Sequence, residues 1–116
     1  MLLDLKHKDL TVYKEIRALI KEAYIITGLL PEHERFNMVS QIRRAALSVK
    51  LNLAEGASRK SGPERKRFYE ISRGSVVEID AAAETAVDLA YIDENNLKNL
   101  SIQLNKCFAM LSKMIN

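Results

Sequence analysis

The sequence predicts an all-α fold, an antiparallel up-down four-helix bundle, as a single domain over residues 1–116. Three observations carry that reading. Hydrophobic residues make up 47% of the chain but aromatic residues only 6%, with no Trp, and a core of Leu, Ile and Ala favours helix over strand. Apolar positions recur in alternating steps of three and four in four separate stretches, which places each set on one helical stripe. Short turn-forming segments divide the stretches, so successive helices run antiparallel. At 116 residues the chain has the length of one common domain, enough for a single packed core.

The first helix is expected over Leu10–Thr27, with Tyr13, Ile16, Ile20, Ala23 and Thr27 on its stripe. Asp9 or Thr11 can cap its start, and Gly28 can close its end in the left-handed conformation. Pro31 then pushes Leu30 out of helical geometry. The second helix is expected from Glu32 or Glu34 to about Arg59. Acids at its start and bases at its end suit the helix dipole. Its stripe is Val39, Ile42, Ala46, Val49, Leu53 and Gly56. A glycine inside a helix costs about 1 kcal/mol against Ala, and a close helix–helix contact at Gly56 accounts for that cost.

Lys60-Ser61-Gly62-Pro63 is the next turn. Ser61 and Glu64 have capping-box spacing, and Pro63 is tolerated in a first turn. The third helix is expected over about Pro63–Tyr91. Its stripe of Ser72, Ser75, Ile79, Ala82, Ala86 and Leu89 is small in volume, which lets a neighbouring backbone approach. Asp93 caps the fourth helix, which runs to about Met114 with Leu97, Leu100, Leu104, Cys107, Leu111 and Met114 inward and Phe108 beside them.

The formal net charge is only +3, but its distribution is uneven. Bases gather from Arg43 to Arg73. Acids follow in Glu78, Asp80, Glu84, Asp88, Asp93 and Glu94. Segregation of this kind points to partners. A single cysteine excludes an internal disulfide and fits a reducing cytoplasm. The amino-terminal stretch MLLDLKHKDL is charged by residue 4 and does not read as a signal peptide. No apolar run approaches the roughly 20 residues that span a bilayer.

The chemistry of known catalytic sites is not spelled out in the chain, and the expectation is a non-enzyme without cofactor or metal. A carboxylate di-metal site in a bundle needs Glu-x-x-His pairs facing inward, and the two histidines, His7 and His33, are not so placed. Cys107 among leucines reads as a structural thiol. Gly56-Ala57-Ser58-Arg59-Lys60-Ser61 ends in Lys-Ser but lacks the second glycine and preceding strand of a phosphate-binding loop.

Two sets of polar residues remain. Asn52, Glu55, Arg73 and Glu78 lie near the interior of the second and third helices and read as a polar network fixing their register, because buried polar groups need partners and acids repel phosphate. Arg43, Arg44, Lys50, Arg59, Lys60, Arg65, Lys66 and Arg67 outnumber the nearby acids. They read either as a nucleic-acid-binding surface, gaining affinity through counterion release, or as a solvated face, or as a protein-interaction surface that meets an acidic partner or a neighbouring subunit. No base-reading motif accompanies them, and Phe68 and Tyr69 are too few for a stacking platform.

The run Gln41-Ile42-Arg43-Arg44-Ala45-Ala46, then Asn52-Leu53-Ala54-Glu55-Gly56, followed by Arg59, Glu64-x-x-x-Phe68 and Gly74-Ser75-x-x-Glu78, resembles a bacterial four-helix-bundle family. That family is known from intervening sequences of 23S ribosomal RNA genes, and its members are often labelled S23 ribosomal proteins. Leu10-Thr11-Val12-Tyr13 and the Leu30-Pro31 turn extend the resemblance over nearly the whole chain. It implies a ring-shaped homopentamer with no catalytic activity. It also implies kinship with the accessory variability protein of diversity-generating retroelements, a basic pentamer that binds nucleic acid and a reverse transcriptase.

Overall fold

The computed structural model describes residues 2–116; Met1, the first residue of the amino-terminal stretch read above, lies outside them. Four α-helices carry the fold: α1 (Thr11–Thr27), α2 (Ser40–Ala57), α3 (Gly62–Asp88) and α4 (Lys98–Ile115). Helix α2 packs on α1 and α3, and α4 closes the ring by packing on α3 and α1. No strand forms among the described residues. Most of each stripe predicted from spacing is buried: Tyr13, Ile16, Ala23 and Thr27 on α1; Ile42, Ala46, Val49, Leu53 and Gly56 on α2; Ser72, Ser75, Ile79 and Ala86 on α3; Leu100, Leu104, Cys107 and Leu111 on α4. Ile20, Val39, Ala82, Leu97 and Met114 are only half-buried, and Leu89, expected inward, is exposed because α3 ends at Asp88. All four helices contribute to one hydrophobic cluster.

The helix ends depart from expectation in informative ways. Gly28 is right-handed, at φ −65° and ψ −18°, and its N–H bonds back to the Tyr24 carbonyl. The left-handed closure instead falls at the end of α3, on Ala90 at φ 61°. The Tyr91 N–H reaches the Ala86 carbonyl at 3.0 Å and the Ala90 N–H reaches Val87 at 2.9 Å. This double closure ends a helix firmly, usually with glycine at the left-handed position. It stops α3 at Asp88, so Tyr91 lies outside the helix.

Tyr91 is thereby turned toward the α1–α2 connection. Its hydroxyl donates to Glu34 Oε2 at 2.8 Å and lies 3.1 Å from His33 Nε2. Asn37 Nδ2 donates to the other Glu34 oxygen at 3.2 Å. Tyr91 holds the Glu34 carboxyl below the usual carboxylate range, and Glu34 holds the Tyr91 phenol above its own. With Glu34 anchored this way, the expected start of the second helix is not regular. A 3-10 turn (Glu32–Glu34) and a five-residue π turn (Arg35–Val39) precede α2. The π turn leaves Phe36 88% exposed.

At the start of α1 neither Asp9 nor Thr11 caps: Leu10 takes the cap position and no side chain bonds there. The caps before α3 and α4 follow the sequence closely. Ser61 Oγ accepts the Glu64 N–H at 3.2 Å, while the Glu64 carboxylate takes the Ser61 hydroxyl rather than its backbone N–H. Asp93 and Asn96 exchange bonds reciprocally around a 3-10 turn (Glu94–Leu97) that leads into α4.

At Gly56 an added Cβ would lie 2.8 Å from Tyr69 Cε1 and 2.9 Å from Phe68 Cβ. The glycine is what allows α2 to meet α3 there. Gly56→Ala is expected to destabilise the fold by about 1–3 kcal/mol, overpacking outweighing the helix-propensity gain. Ala90→Gly is expected to stabilise it by about 0.5–1 kcal/mol, since glycine carries no left-handed penalty. Both are read by chemical denaturation. Cys107 is fully buried, and desolvation, with Glu15 nearby, pushes its thiol up to about 12. The thiolate is the reactive form, so a disulfide reagent at pH 8 is expected to label Cys107 only after denaturant is added; rapid labelling of the native protein would contradict this packing.

Candidate nucleic-acid interface

The close approach at Gly56 sets the geometry of the α2–α3 turn. Gly56 lies against Phe68 and Tyr69, so the residues of α3 before them project beyond the end of α2. That projection is Gly62 to Arg67, about 9 Å of helix at 1.5 Å per residue. Pro63, Glu64, Lys66 and Arg67 on it are exposed.

The eight predicted cations divide according to what each touches. Arg65 is a structural clamp: its Nη1 donates to the Arg59 and Lys60 carbonyls at 3.0 and 2.8 Å, satisfying backbone acceptors just after α2. Its charge also opposes the upward push that burial gives the Tyr69 phenol. Arg59 stacks on Phe68, 4.9 Å from guanidinium to ring, and pairs with Glu55 at 3.2 Å, yet its Nε is buried with no acceptor. Lys60, Lys66 and Arg67 have no carboxylate within ion-pair distance; among the described residues only Arg35–Glu32, Arg59–Glu55 and Lys106–Glu15 are so paired.

The other three do not join the turn. Arg43 donates to Thr27 Oγ1 at 2.8 Å and stacks on Tyr24 at 4.5 Å, which fixes it against the end of α1. Lys50 is half-buried over the Tyr13 ring at 5.4 Å. Arg44 is exposed and borders a small groove with Gln41, Ser48, Ser75 and Glu78, between α2 and α3. The basic surface at the turn is therefore smaller than the sequence suggested.

It gains one contribution that sequence reasoning missed. A 3-10 turn (Lys6–Asp9) precedes α1, and Leu5, Lys6 and His7 line a groove with Ala57, Ser58 and Tyr69. Lys6 is thus brought beside the end of α2, some fifty positions away in the chain. The signal was topological: in an up-down bundle the start of the first helix and the end of the second share one end.

Asn52, Glu55, Arg73 and Glu78 are not brought together. Asn52 donates to the Ser48 carbonyl and hydroxyl within α2. Glu55 pairs with Arg59. Arg73 donates to Ser112 on α4 at 3.1 Å and lies over Phe108. Glu78 is exposed. The polar ties that do join α2 and α3 come from two small residues: Ser72 Oγ donates to the Val49 carbonyl at 2.7 Å, and Ser75 Oγ meets Ser48 Oγ at 2.9 Å. Asn52 reaches this tie only through Ser48 of its own helix, and Arg73 turns away to α4; the contacts that cross directly between α2 and α3 are made by serine.

Among the described residues, no group of His, Cys, Asp and Glu is arranged to hold a metal ion, and no helix is long and apolar enough to cross a membrane. The family model described as 23S rRNA-intervening sequence protein matches residues 8–113. No curated protein matches the chain.

Proposed function

We propose, for a chain that belongs to the 23S rRNA-intervening sequence protein family, that it is a non-catalytic, oligomeric bundle whose basic turn binds the backbone of RNA or DNA with little sequence preference. One observation carries the reading: Lys60, Lys66 and Arg67 stand on or beside a helical projection with no carboxylate paired to them. Cations left unneutralised in one place attract phosphate and release its counterions. Lys6 adds to the same surface, and Arg59, placed over Phe68 and paired with Glu55, keeps part of its guanidinium exposed beside it. Nothing at the turn is built to read bases, so the interaction is carried by charge.

Self-association is part of the proposal. Leu47 and Leu51 on α2 and Ile71 and Val77 on α3 are exposed, and Gly74 has nothing within 4 Å of its Cβ position. An exposed apolar set beside an unfilled helix face suits contact with another copy. Five copies in a ring would repeat the basic turn five times, multiplying weak phosphate contacts by avidity.

Fluorescence anisotropy with a labelled single-stranded RNA, titrated across potassium chloride concentrations, tests the reading. Binding is expected to weaken steeply with salt. Replacing Lys60, Lys66 and Arg67 together by Glu is expected to weaken it at least about tenfold and to flatten the log–log salt slope by about 2 to 3 per protomer engaged. Arg43→Ala is expected to leave it unchanged, because that side chain is committed to Thr27 and Tyr24. Absence of binding at low salt would overturn the proposal.

A further inference from the structure

The acids of the chain gather on a different surface from the basic turn. Between α3 and α4 runs an open groove of about 850 Å³. Ala83, Val87, Leu97, Leu100 and Leu104 line it, an apolar floor. Asp80, Glu84 and Asp88 stand along the α3 side at four-residue spacing, and none is paired with a cation. The α4 side is different: Glu94, in the turn that leads into the helix, is its one acid and stands near Lys98, and the rest of that rim is the uncharged Asn99, Ser101 and Asn105. We infer that this groove is the docking site for an amphipathic helix of a partner protein that carries Lys or Arg along one flank only.

Each part of that description follows from a feature of the groove. An apolar floor between two helices accepts a third through residues spaced three and four apart. The lining of α3 from Asp80 to Asp88, and of α4 with the residue before it from Leu97 to Asn105, is about 12 Å long on each side, roughly two turns of an incoming helix. Ala83 and Ser101 are short, which lets its backbone settle deeply. Asp80, Glu84 and Asp88 repeat about every 6 Å, the interval at which a helix presents cations at positions i, i+4 and i+8. The uncharged Ser101 and Asn105 opposite, with Glu94 and Lys98 of opposite sign at one end, make the second flank neutral overall against the three acids of the first. The asymmetry of the rim therefore fixes the orientation of the guest as well as its charge.

Nucleic acid is excluded from this groove by the same carboxylates. A second copy is a poor fit: α1 offers Lys14, Arg17 and Lys21 on its exposed side, but its exposed apolar residues there are confined to Tyr24 and Ile25 at one end. Helix α2 exposes Leu47 and Leu51, but Arg43 and Lys50 are engaged by its own chain and only Arg44 is exposed beside them, too few cations to match three acids. The inference is independent of nucleic-acid binding, since it rests on another surface with the opposite charge.

The test is a titration of the isotopically labelled full chain with a synthetic 18-residue helix that has leucines on one stripe and lysines along one flank, followed by two-dimensional NMR. Saturable shifts are expected at Ala83, Val87, Leu97 and Ser101. A peptide with glutamates replacing the lysines is expected to bind at least tenfold more weakly, as is the wild-type peptide to the Glu84→Lys/Asp88→Lys protein. The milder Asp80→Asn/Glu84→Gln protein, in which both changes are isosteric and exposed, is expected to show an intermediate loss. All variants should retain the wild-type affinity for RNA. Shifts confined to other surfaces, equal binding of both peptides, or a groove already covered by a second copy and uncovered by Glu84→Lys/Asp88→Lys as a fall in solution mass would each overturn the inference.

Discussion

Helix α2 can reach its neighbour only because position 56 has no side chain. A Cβ there would enter the Tyr69 ring and the Phe68 Cβ at under 3 Å, and protein interiors do not absorb such overlap without displacing a helix. The α2–α3 interface is the largest in the bundle, and its buried polar ties are serines, Ser72 to Val49 and Ser75 to Ser48. Glycine at one end and serine through the middle are the same device: short side chains that let two backbones approach. Arg59 on Phe68 and Arg65 on the carbonyls just after α2 follow from that approach, since both contacts lie at the turn it creates.

The turn therefore sorts residues of one chemical type into different roles. Arg65 spends its hydrogen bonds on backbone carbonyls, Arg43 on Thr27 and Tyr24, and Arg59 partly on Glu55. Lys60, Lys66 and Arg67 are left with solvent. Sequence composition counts all of these as positive charge, but charge already engaged by fixed partners is poorly placed to meet a ligand. What acts at a distance is the field of the unpaired set.

The bundle was legible in the sequence because burial imposes a period, and a period survives in the order of residues. The stripes from Ile16 to Leu111 needed no knowledge of neighbours. The rim of each helix was less legible. Arg43 and Arg44 are adjacent in the chain, yet about 100° apart around the helix, so one meets α1 and the other borders α3. Spacing identifies the inward face but leaves open which neighbour a residue beside that face will touch. That is why Asn52, Glu55 and Arg73 go to separate partners and Glu78 stays exposed. Contacts between distant segments were illegible for a different reason. Tyr91 reaches Glu34 only because Ala90 turns left-handed, and an alanine gives no local warning of that conformation. Lys6 beside Ser58 depends on the whole topology.

The segregation of charge has a further physical consequence. Only three carboxylate–cation pairs form among the described residues, although the chain holds 18 Lys and Arg and 15 Asp and Glu. Exposed pairs contribute little to stability, so leaving them unmade costs the fold little. Two oppositely charged surfaces are kept available instead. The basic turn lies at the end of α2, whereas the acidic groove follows the second half of α3, so the two are separated along the bundle by more than the roughly 8 Å over which physiological salt screens exposed charge. At that separation neither surface neutralises the other, and each can recruit its own partner.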